Sequence, residues 1–166
     1  FERAASSFRQ LVRYADSELG RNMRMQHVAE RGLSFSEFLD FLARTDLTAC
    51  DPHFAIQRHP IEDRLPVHYL INVSQDDLFT RLNGVEADLG LPHTDLSALE
   101  WIKLLRNHNL PEAEFKGGGD LYTRRFGPAE ARTGPWPRHA DLLTAQARAQ
   151  IARLYATDID TYCRTA

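Results

Sequence analysis

The sequence contains little cysteine and little lysine, and it has neither an initiator methionine nor a long apolar run. Two cysteines, Cys50 and Cys163, leave room for one long-range disulfide but exclude a disulfide-dense scaffold. Because no run of about 18 apolar residues occurs, no membrane span is expected. The net charge of −3 argues against a nucleic-acid partner. We expect a cytoplasmic protein, or a lumenal or membrane-associated one if an anchor precedes the first residue.

The composition is that of an ordinary globular protein. Its 166 residues are 43% apolar and 26% charged, which is enough for a single domain over residues 1–166. The basic residues are almost all arginine, since lysine occurs only at Lys103 and Lys116. Arginine suits bidentate recognition of phosphate or sulfate, although biased codon usage explains its excess at least as well.

The first residues, FERAASSF, lead directly into an amphipathic helix. The helical pattern places Ser6 and Ser7 in or near the first turn, where unpaired N–H groups and the helix dipole can hold an anion. A helix cap or a solvated hydroxyl is the alternative interpretation of these serines. The apolar residues that recur at steps of three and four are Phe8, Leu11, Val12, Ala15 and Leu19.

The rest of the chain predicts short helices, one strand and two long loops. Ser34 to Glu37 forms a capping box before an aromatic helix face. Residues 67–72 are typical of a buried strand, and a helix is expected from Ser74 to Gly90. Further helices are expected over about 22–31, 96–107 and from about 141, where Ala147, Ile151, Leu154 and Tyr155 share a face; the loops cover 45–66 and 108–138.

Three residues of the first long loop are of the types that bind metals. Cys50, His53 and His59 lie within one short stretch. No second cysteine and no paired spacing accompany them, so the sequence favours no metal site.

The run FERAASSF resembles the end of the second cofactor motif of sulfotransferases, the carbohydrate sulfotransferases in particular. In that family an arginine and a serine grip the 3′-phosphate of the sulfate donor PAPS (3′-phosphoadenosine 5′-phosphosulfate). The resemblance implies that Ser6 is the phosphate-contacting serine and that its partner arginine lies just before Phe1. Arg3 and Arg9 flank this position, and Arg3 is taken as a further candidate cofactor contact.

Three more segments resemble carbohydrate sulfotransferases, and they follow in family order. DPHFAIQ is similar to a His-Trp loop with Phe54 in place of the tryptophan, which implies that His53 anchors the loop. Asp77 matches an aspartate after the predicted strand, whereas Asn72 stands where glutamate is usual. The closing Tyr155-x-x-Asp158 is similar to a Tyr-x-x-Asp signature near the end of those catalytic domains. Packing of Tyr155 and Tyr162 against the protein is the alternative interpretation.

The segment Lys116-Gly-Gly-Gly-Asp120 is similar to the Lys-Gly-x-x-Gly-Asp segment of cytosolic sulfotransferases, which lies on the 3′-phosphate side. Small residues let backbone N–H groups approach an anion. Lys116 and Gly117 are therefore candidate cofactor contacts. A flexible surface loop is the alternative.

The resemblance implies an α/β fold of the P-loop NTPase-like sulfotransferase type, present here as a predominantly helical C-terminal part with one or two strands of the parallel sheet. It implies PAPS-dependent transfer of a sulfuryl group to a hydroxyl acceptor, first a glycan and next a small alcohol or lipid. In related enzymes the phosphosulfate loop and usually the base precede the first motif, so this chain alone is expected to be inactive and its intact parent active. His27, His53, His59 and His68 remain as possible bases. The alternative is a non-catalytic helical module that binds a protein partner.

Overall fold

The computed structural model describes residues 1–17, 26–71, 77–98, 115 and 117–162. The chain divides into two compact units, of which the first comprises Phe1–His59 with Glu112–Ala166 and the second Pro60–Pro111. The expected single domain stays a prediction. No helix in the described part of the chain is both long and apolar enough to cross a bilayer.

The described chain is mainly helical, with short elements joined by turns. Two-residue strands supply its only described sheet, and 3₁₀ turns occur at Pro60–Asp63 and Leu96–Ala98. In chain order the elements are α1 (Glu2–Tyr14), α2 (Gln26–Arg31), β1 (Leu33–Ser34), α3 (Phe35–Leu42), α4 (Leu78–Asp88), β2 (Arg125–Phe126), α5 (Pro128–Thr133), α6 (His139–Leu142), α7 (Ala145–Leu154) and α8 (Ala156–Tyr162).

The Phe8 ring lies at the centre of the core of the first unit. It contacts the rings of Phe35, Phe38, Phe126 and Trp136, with centroids 5.3 to 6.1 Å apart. Aromatic pairs at such distances contribute about 0.5–1.5 kcal/mol each beyond the area they bury. We call these five residues the aromatic cluster. The apolar steps that predict α1 therefore correspond to a helix face that packs on α3, β2 and the Trp136 segment.

The short sheet and the helix that follows it are specified by local chemistry. β1 pairs antiparallel with β2, so that Leu33 lies opposite Phe126. Gly32 precedes β1 at a φ of +72°, and a Cβ there would lie 2.9 Å from the Phe126 carbonyl oxygen. Ser34 then begins α3: its hydroxyl accepts from the Glu37 N–H, and the Glu37 carboxylate accepts from the Ser34 N–H. The capping box predicted from the sequence is confirmed.

Some element boundaries differ from the sequence expectation. α1 begins at Glu2, so Ser6 lies in its second turn rather than its first. α4 begins at Leu78, and its N-cap is Asp77, whose carboxylate accepts from the Phe79 N–H at 3.1 Å. The expected start at Ser74 lies outside the described residues. Of the helix expected over 96–107, the described part is the 3₁₀ turn Leu96–Ala98.

The strand expected over residues 67–72 is absent from its described part, residues 67–71. The side chains of Val67, Tyr69 and Leu70 are 42–54% exposed. A strand needs a neighbouring strand for its backbone hydrogen bonds, and the described strands pair with each other elsewhere, in antiparallel orientation. The prediction of a buried strand is wrong for these residues. The parallel sheet of a sulfotransferase stays a prediction.

The aromatic cluster predicts the effect of removing its central ring. Phe8 is fully buried, so Phe8→Ala should lower the free energy of unfolding by about 3–5 kcal/mol. Urea denaturation followed by circular dichroism measures this change. The control is Phe41→Ala. Because the Phe41 side chain is 40% exposed, its removal should lower the free energy of unfolding clearly less. Equal losses for the two variants would contradict a core centred on Phe8.

Candidate functional site

Side chains from α1 hold one end of a loop formed by residues 51–58, which we call the anchored loop. The Arg3 guanidinium donates to the Pro52 carbonyl at 2.7 Å, and the Ser7 hydroxyl donates to the His53 carbonyl at 2.5 Å. Residues four apart on a helix lie on one side of it, so both donors reach the same loop. The first motif thus fixes two consecutive carbonyls of the anchored loop.

The last two helices hold the other end of the anchored loop. The Tyr155 hydroxyl donates to the Phe54 carbonyl at 2.6 Å. The Asp158 carboxylate, in a residue only 8% exposed, accepts from the Gln57 N–H at 2.8 and 2.9 Å and from the Arg58 N–H at 3.0 Å. A buried carboxylate requires such donors, because it has lost the water that would solvate it. In this structure the Tyr-x-x-Asp segment holds the anchored loop.

The Phe54 side chain fixes the middle of the anchored loop in the core. It is 4% exposed, and its ring lies edge-on to Phe38 and Phe41 with centroids 6.3 and 5.9 Å away. The Ile56 N–H also donates to the Leu47 carbonyl at 2.9 Å. The aromatic position that the resemblance identified is therefore a packing position here.

The His53 imidazole is the part of the anchored loop that faces solvent, with 68% of the side chain exposed. Its Nδ1 lies 2.7 Å from Asp51 Oδ1, which also accepts from the His53 N–H at 2.9 Å. Burial raises the pKa of Asp51, but the hydrogen bonds from His53 outweigh burial, and the net effect lowers that pKa. The resemblance implied that His53 anchors the loop. The anchor is its carbonyl, whereas its ring is presented outward.

Sequence patterns did not single out Asp51 or the role of Ser7. An aspartate whose carboxylate accepts the N–H two residues later forms a recognisable turn, so the Asp-Pro-His spacing carried a signal for Asp51. Ser7 carried no such signal, because its partner is 46 residues away in the sequence.

Ser6 is exposed on α1, and its neighbour Ser7 is 5% exposed. Neither serine caps the helix, because the N-cap is Phe1 and no side chain caps there. The cap interpretation of these serines is therefore wrong, whereas the exposure of Ser6 fits both a solvated hydroxyl and a ligand contact. Arg9 lies elsewhere, with its guanidinium 5.6 Å from the centre of the Trp136 ring.

Lys116 lies outside the described residues, and Gly117 lies beside the Phe115 and Arg124 side chains. A Cβ at Gly117 would overlap the Phe115 ring and the Arg124 guanidinium, so these two side chains would have to shift to accept a larger residue. Gly119 follows at a φ of +101°, a conformation that favours glycine. The atoms nearest to Gly117 belong to Phe115 and Arg124, and the described contacts do not bring Gly117 to Ser6 or Arg3.

The part of the chain that the structure describes contains no group of three or more His, Cys, Asp or Glu residues placed to hold a metal ion. Cys50 is a free thiol, and burial raises its pKa. Its possible disulfide partner, Cys163, lies outside the described residues. Nothing in this geometry favours the zinc interpretation of Cys50, His53 and His59.

In comparisons with known proteins, no family model, no curated protein and no solved structure matches this chain. The sulfotransferase resemblance therefore depends on its own motifs. What the structure adds is the mutual placement of three of these segments, FERAASSF, DPHFAIQ and Tyr155-x-x-Asp158, in the first unit.

The Tyr155 contact predicts a pH-dependent contribution to stability. Burial raises the pKa of Tyr155 from 10.0 to about 12. Because the folded-state pKa is the higher one, the neutral phenol contributes its full stability below the unfolded pKa and loses it as the pH rises towards 12. Tyr155→Phe leaves the buried Phe54 carbonyl without its donor, so it should cost roughly 1–2 kcal/mol near neutral pH.

Urea denaturation of wild type and Tyr155→Phe, near neutral pH and above pH 10, measures this contribution. The difference between the two proteins should shrink at the higher pH, because the variant lacks the titrating phenol. The control is Tyr14→Phe. Because Tyr14 is 45% exposed, this substitution should change the free energy of unfolding little at either pH. A difference that stays constant with pH would contradict the assigned role of the Tyr155 hydroxyl.

Proposed function

We propose that this chain carries the 3′-phosphate-binding side of a PAPS-dependent sulfotransferase with the P-loop NTPase-like fold. The reaction is transfer of a sulfuryl group from PAPS to a hydroxyl, with a glycan as the first candidate acceptor and a small alcohol or lipid next. No metal takes part in this proposal.

The observation that carries the proposal is that three motif segments meet: two of them bind the third, which forms the anchored loop. FERAASSF reaches it through Arg3 and Ser7, and the closing segment reaches it through Tyr155 and Asp158. The DPHFAIQ segment is the loop itself. Segments that follow the order of one enzyme family, and that lie up to 101 residues apart, thus meet in one place. If the three segments resembled the family only by chance, there would be no reason for them to contact each other in the fold.

The chemistry that we assign to this place is phosphate binding. Sulfuryl transfer, like phosphoryl transfer, depends mostly on positioning and on stabilisation of charge. In the proposal the exposed Ser6 hydroxyl donates to the 3′-phosphate. Arg3 adds a positive charge one helical turn away, and one of its five N–H donors bonds to the Pro52 carbonyl among the contacts of the described residues. Lys116 and Gly117 stay candidates for the same phosphate.

A second candidate function, binding of a protein partner, is favoured by the second unit. Its residues expose an apolar stretch, and such surfaces often mark protein interfaces. Titration with PAP, the product that remains when PAPS has lost its sulfuryl group, separates the two functions. A sulfotransferase should bind PAP, whereas a protein-interaction module has no need of a nucleotide. The apolar side chains of this stretch are 42–58% exposed; they are Ile61, Leu65, Val67, Tyr69 and Leu70.

The proposal predicts that Ser6→Ala weakens binding of PAP, the desulfated product of PAPS. One charge-assisted hydrogen bond is lost, so the binding free energy should fall by roughly 1–2 kcal/mol. Isothermal titration calorimetry on the complete protein that contains this sequence measures the change. The matched control is Thr133→Ala, which removes an exposed hydroxyl at the end of α5 and should leave PAP affinity unchanged. Unchanged affinity in Ser6→Ala would remove Ser6 from the site.

A further inference from the structure

We propose that His53 is the general base of the reaction and that its Nε2 takes the proton of the acceptor hydroxyl. The assignment rests on the proposed sulfotransferase function. Four histidines remain possible bases from the sequence alone. The choice among them comes from the way the structure holds the His53 ring and backbone.

The Asp51 carboxylate determines which nitrogen of His53 is basic. An ionised carboxylate can only accept a hydrogen bond, so the imidazole Nδ1, 2.7 Å from Asp51 Oδ1, carries the hydrogen. In the neutral ring the lone pair is then on Nε2, at the other end of the ring. A carboxylate that holds a histidine in one tautomer in this way also stabilises the imidazolium that forms when Nε2 takes a proton. Because 68% of the His53 side chain is exposed, a substrate can reach it.

The backbone of His53 is positioned from both ends of the chain. Its carbonyl accepts from Ser7, and the preceding carbonyl, that of Pro52, accepts from Arg3. The following residue, Phe54, is held by the core and by the Tyr155 hydroxyl. A catalytic group gains rate from such fixed placement, because less reorganisation is needed when the substrate binds.

The same contacts place His53 beside the proposed nucleotide site. Ser6 lies on α1 between Arg3 and Ser7, the two residues that bind the loop next to His53. A 3′-phosphate bound at Ser6 would therefore be held by the same part of α1 that supports the His53 backbone.

The acceptor oxygen attacks the sulfur of PAPS, and a new O–S bond forms. The bond between sulfur and the bridging phosphate oxygen breaks, and PAP leaves with that electron pair. The proton of the acceptor hydroxyl passes to Nε2 of His53, while Asp51 stays ionised and keeps its hydrogen bond to Nδ1.

Chemical modification tests the assignment without knowledge of the acceptor. Diethyl pyrocarbonate acylates accessible, unprotonated imidazoles, and mass spectrometry locates the product in the complete protein. We expect His53 to react, and PAPS at about 100 times its Kd to slow that reaction by roughly tenfold or more. His27, which is exposed on α2, is the internal control, and its reaction should not change with PAPS.

Kinetics with radiolabelled PAPS and chondroitin, dextran or cholesterol as acceptor provide the second test. His53→Gln should lower kcat by roughly 100-fold or more, while PAP affinity by calorimetry stays within about twofold. His27→Gln should leave both unchanged. Asp51→Asn keeps an acceptor oxygen for the turn and should lower kcat by a smaller factor. It should also reduce the fraction of His53 with hydrogen on Nδ1, as read from its ¹⁵N shifts.

The outcomes separate this assignment from the proposed function. A complete protein that binds no PAP overturns the sulfotransferase proposal and the role of His53 with it. PAP binding without protection of His53, or a His53 that does not react at all, overturns the His53 assignment alone. A His53→Gln variant with normal kcat and weaker PAP binding does the same, because His53 would then be a phosphate contact. If none of the three acceptors becomes radiolabelled, the protection of His53 from diethyl pyrocarbonate by PAPS decides whether the assignment of His53 holds.

Discussion

Burial of the Phe8 ring fixes the rotation of α1 about its axis, and the proposed site depends on that rotation. With Phe8 in the aromatic cluster, Arg3 and Ser7 face the anchored loop and Ser6 faces solvent. Successive residues on a helix are rotated by about 100°, so a shift of one position would turn Ser7 away from the His53 carbonyl. The core of the first unit and its candidate site are thus built on different sides of the same helix, α1.

The anchored loop couples the beginning of the chain to its end. Its Pro52 and His53 carbonyls are held from α1, and its N–H groups at Gln57 and Arg58 are held by Asp158 about 100 residues later. Loops usually satisfy their backbone groups with water, and they carry function when a rigid scaffold positions them. Here side chains satisfy the backbone groups of Pro52, His53, Phe54, Gln57 and Arg58 described above, while the Asp51–His53 pair is left at the surface. This division explains why segments so distant in the sequence share one site.

Local chemistry made part of this structure predictable. The capping box at Ser34 and the buried side of α7 with Ala147 and Ile151 both follow from neighbours within a few residues. The residue at which α1 starts could not be read from the sequence, because its N-cap, Phe1, makes no side-chain cap, and caps are the signal that marks a helix start. Residues 67–71 have the composition of a strand, but strand formation depends on a partner strand, which composition does not report.

The candidate site was predictable in its residues more than in its geometry. Ser6, Arg3 and the Tyr155-x-x-Asp158 segment were identified by resemblance, whereas the shared contact of Arg3, Tyr155 and Asp158 with residues 51–58 required the fold. The outward placement of the His53 ring also depends on the carbonyl contact with Ser7, which no spacing in the sequence reports.

The claim on which the rest depends is that this protein recognises the 3′-phosphate of an adenine nucleotide. The most direct measurement is a calorimetric comparison of PAP with adenosine 5′-phosphate, which differs only in lacking that phosphate. Since charge-assisted hydrogen bonds contribute about 1.5–3 kcal/mol each, we expect PAP to bind at least roughly tenfold more tightly. Equal affinity for the two nucleotides, or binding of neither, would contradict the account.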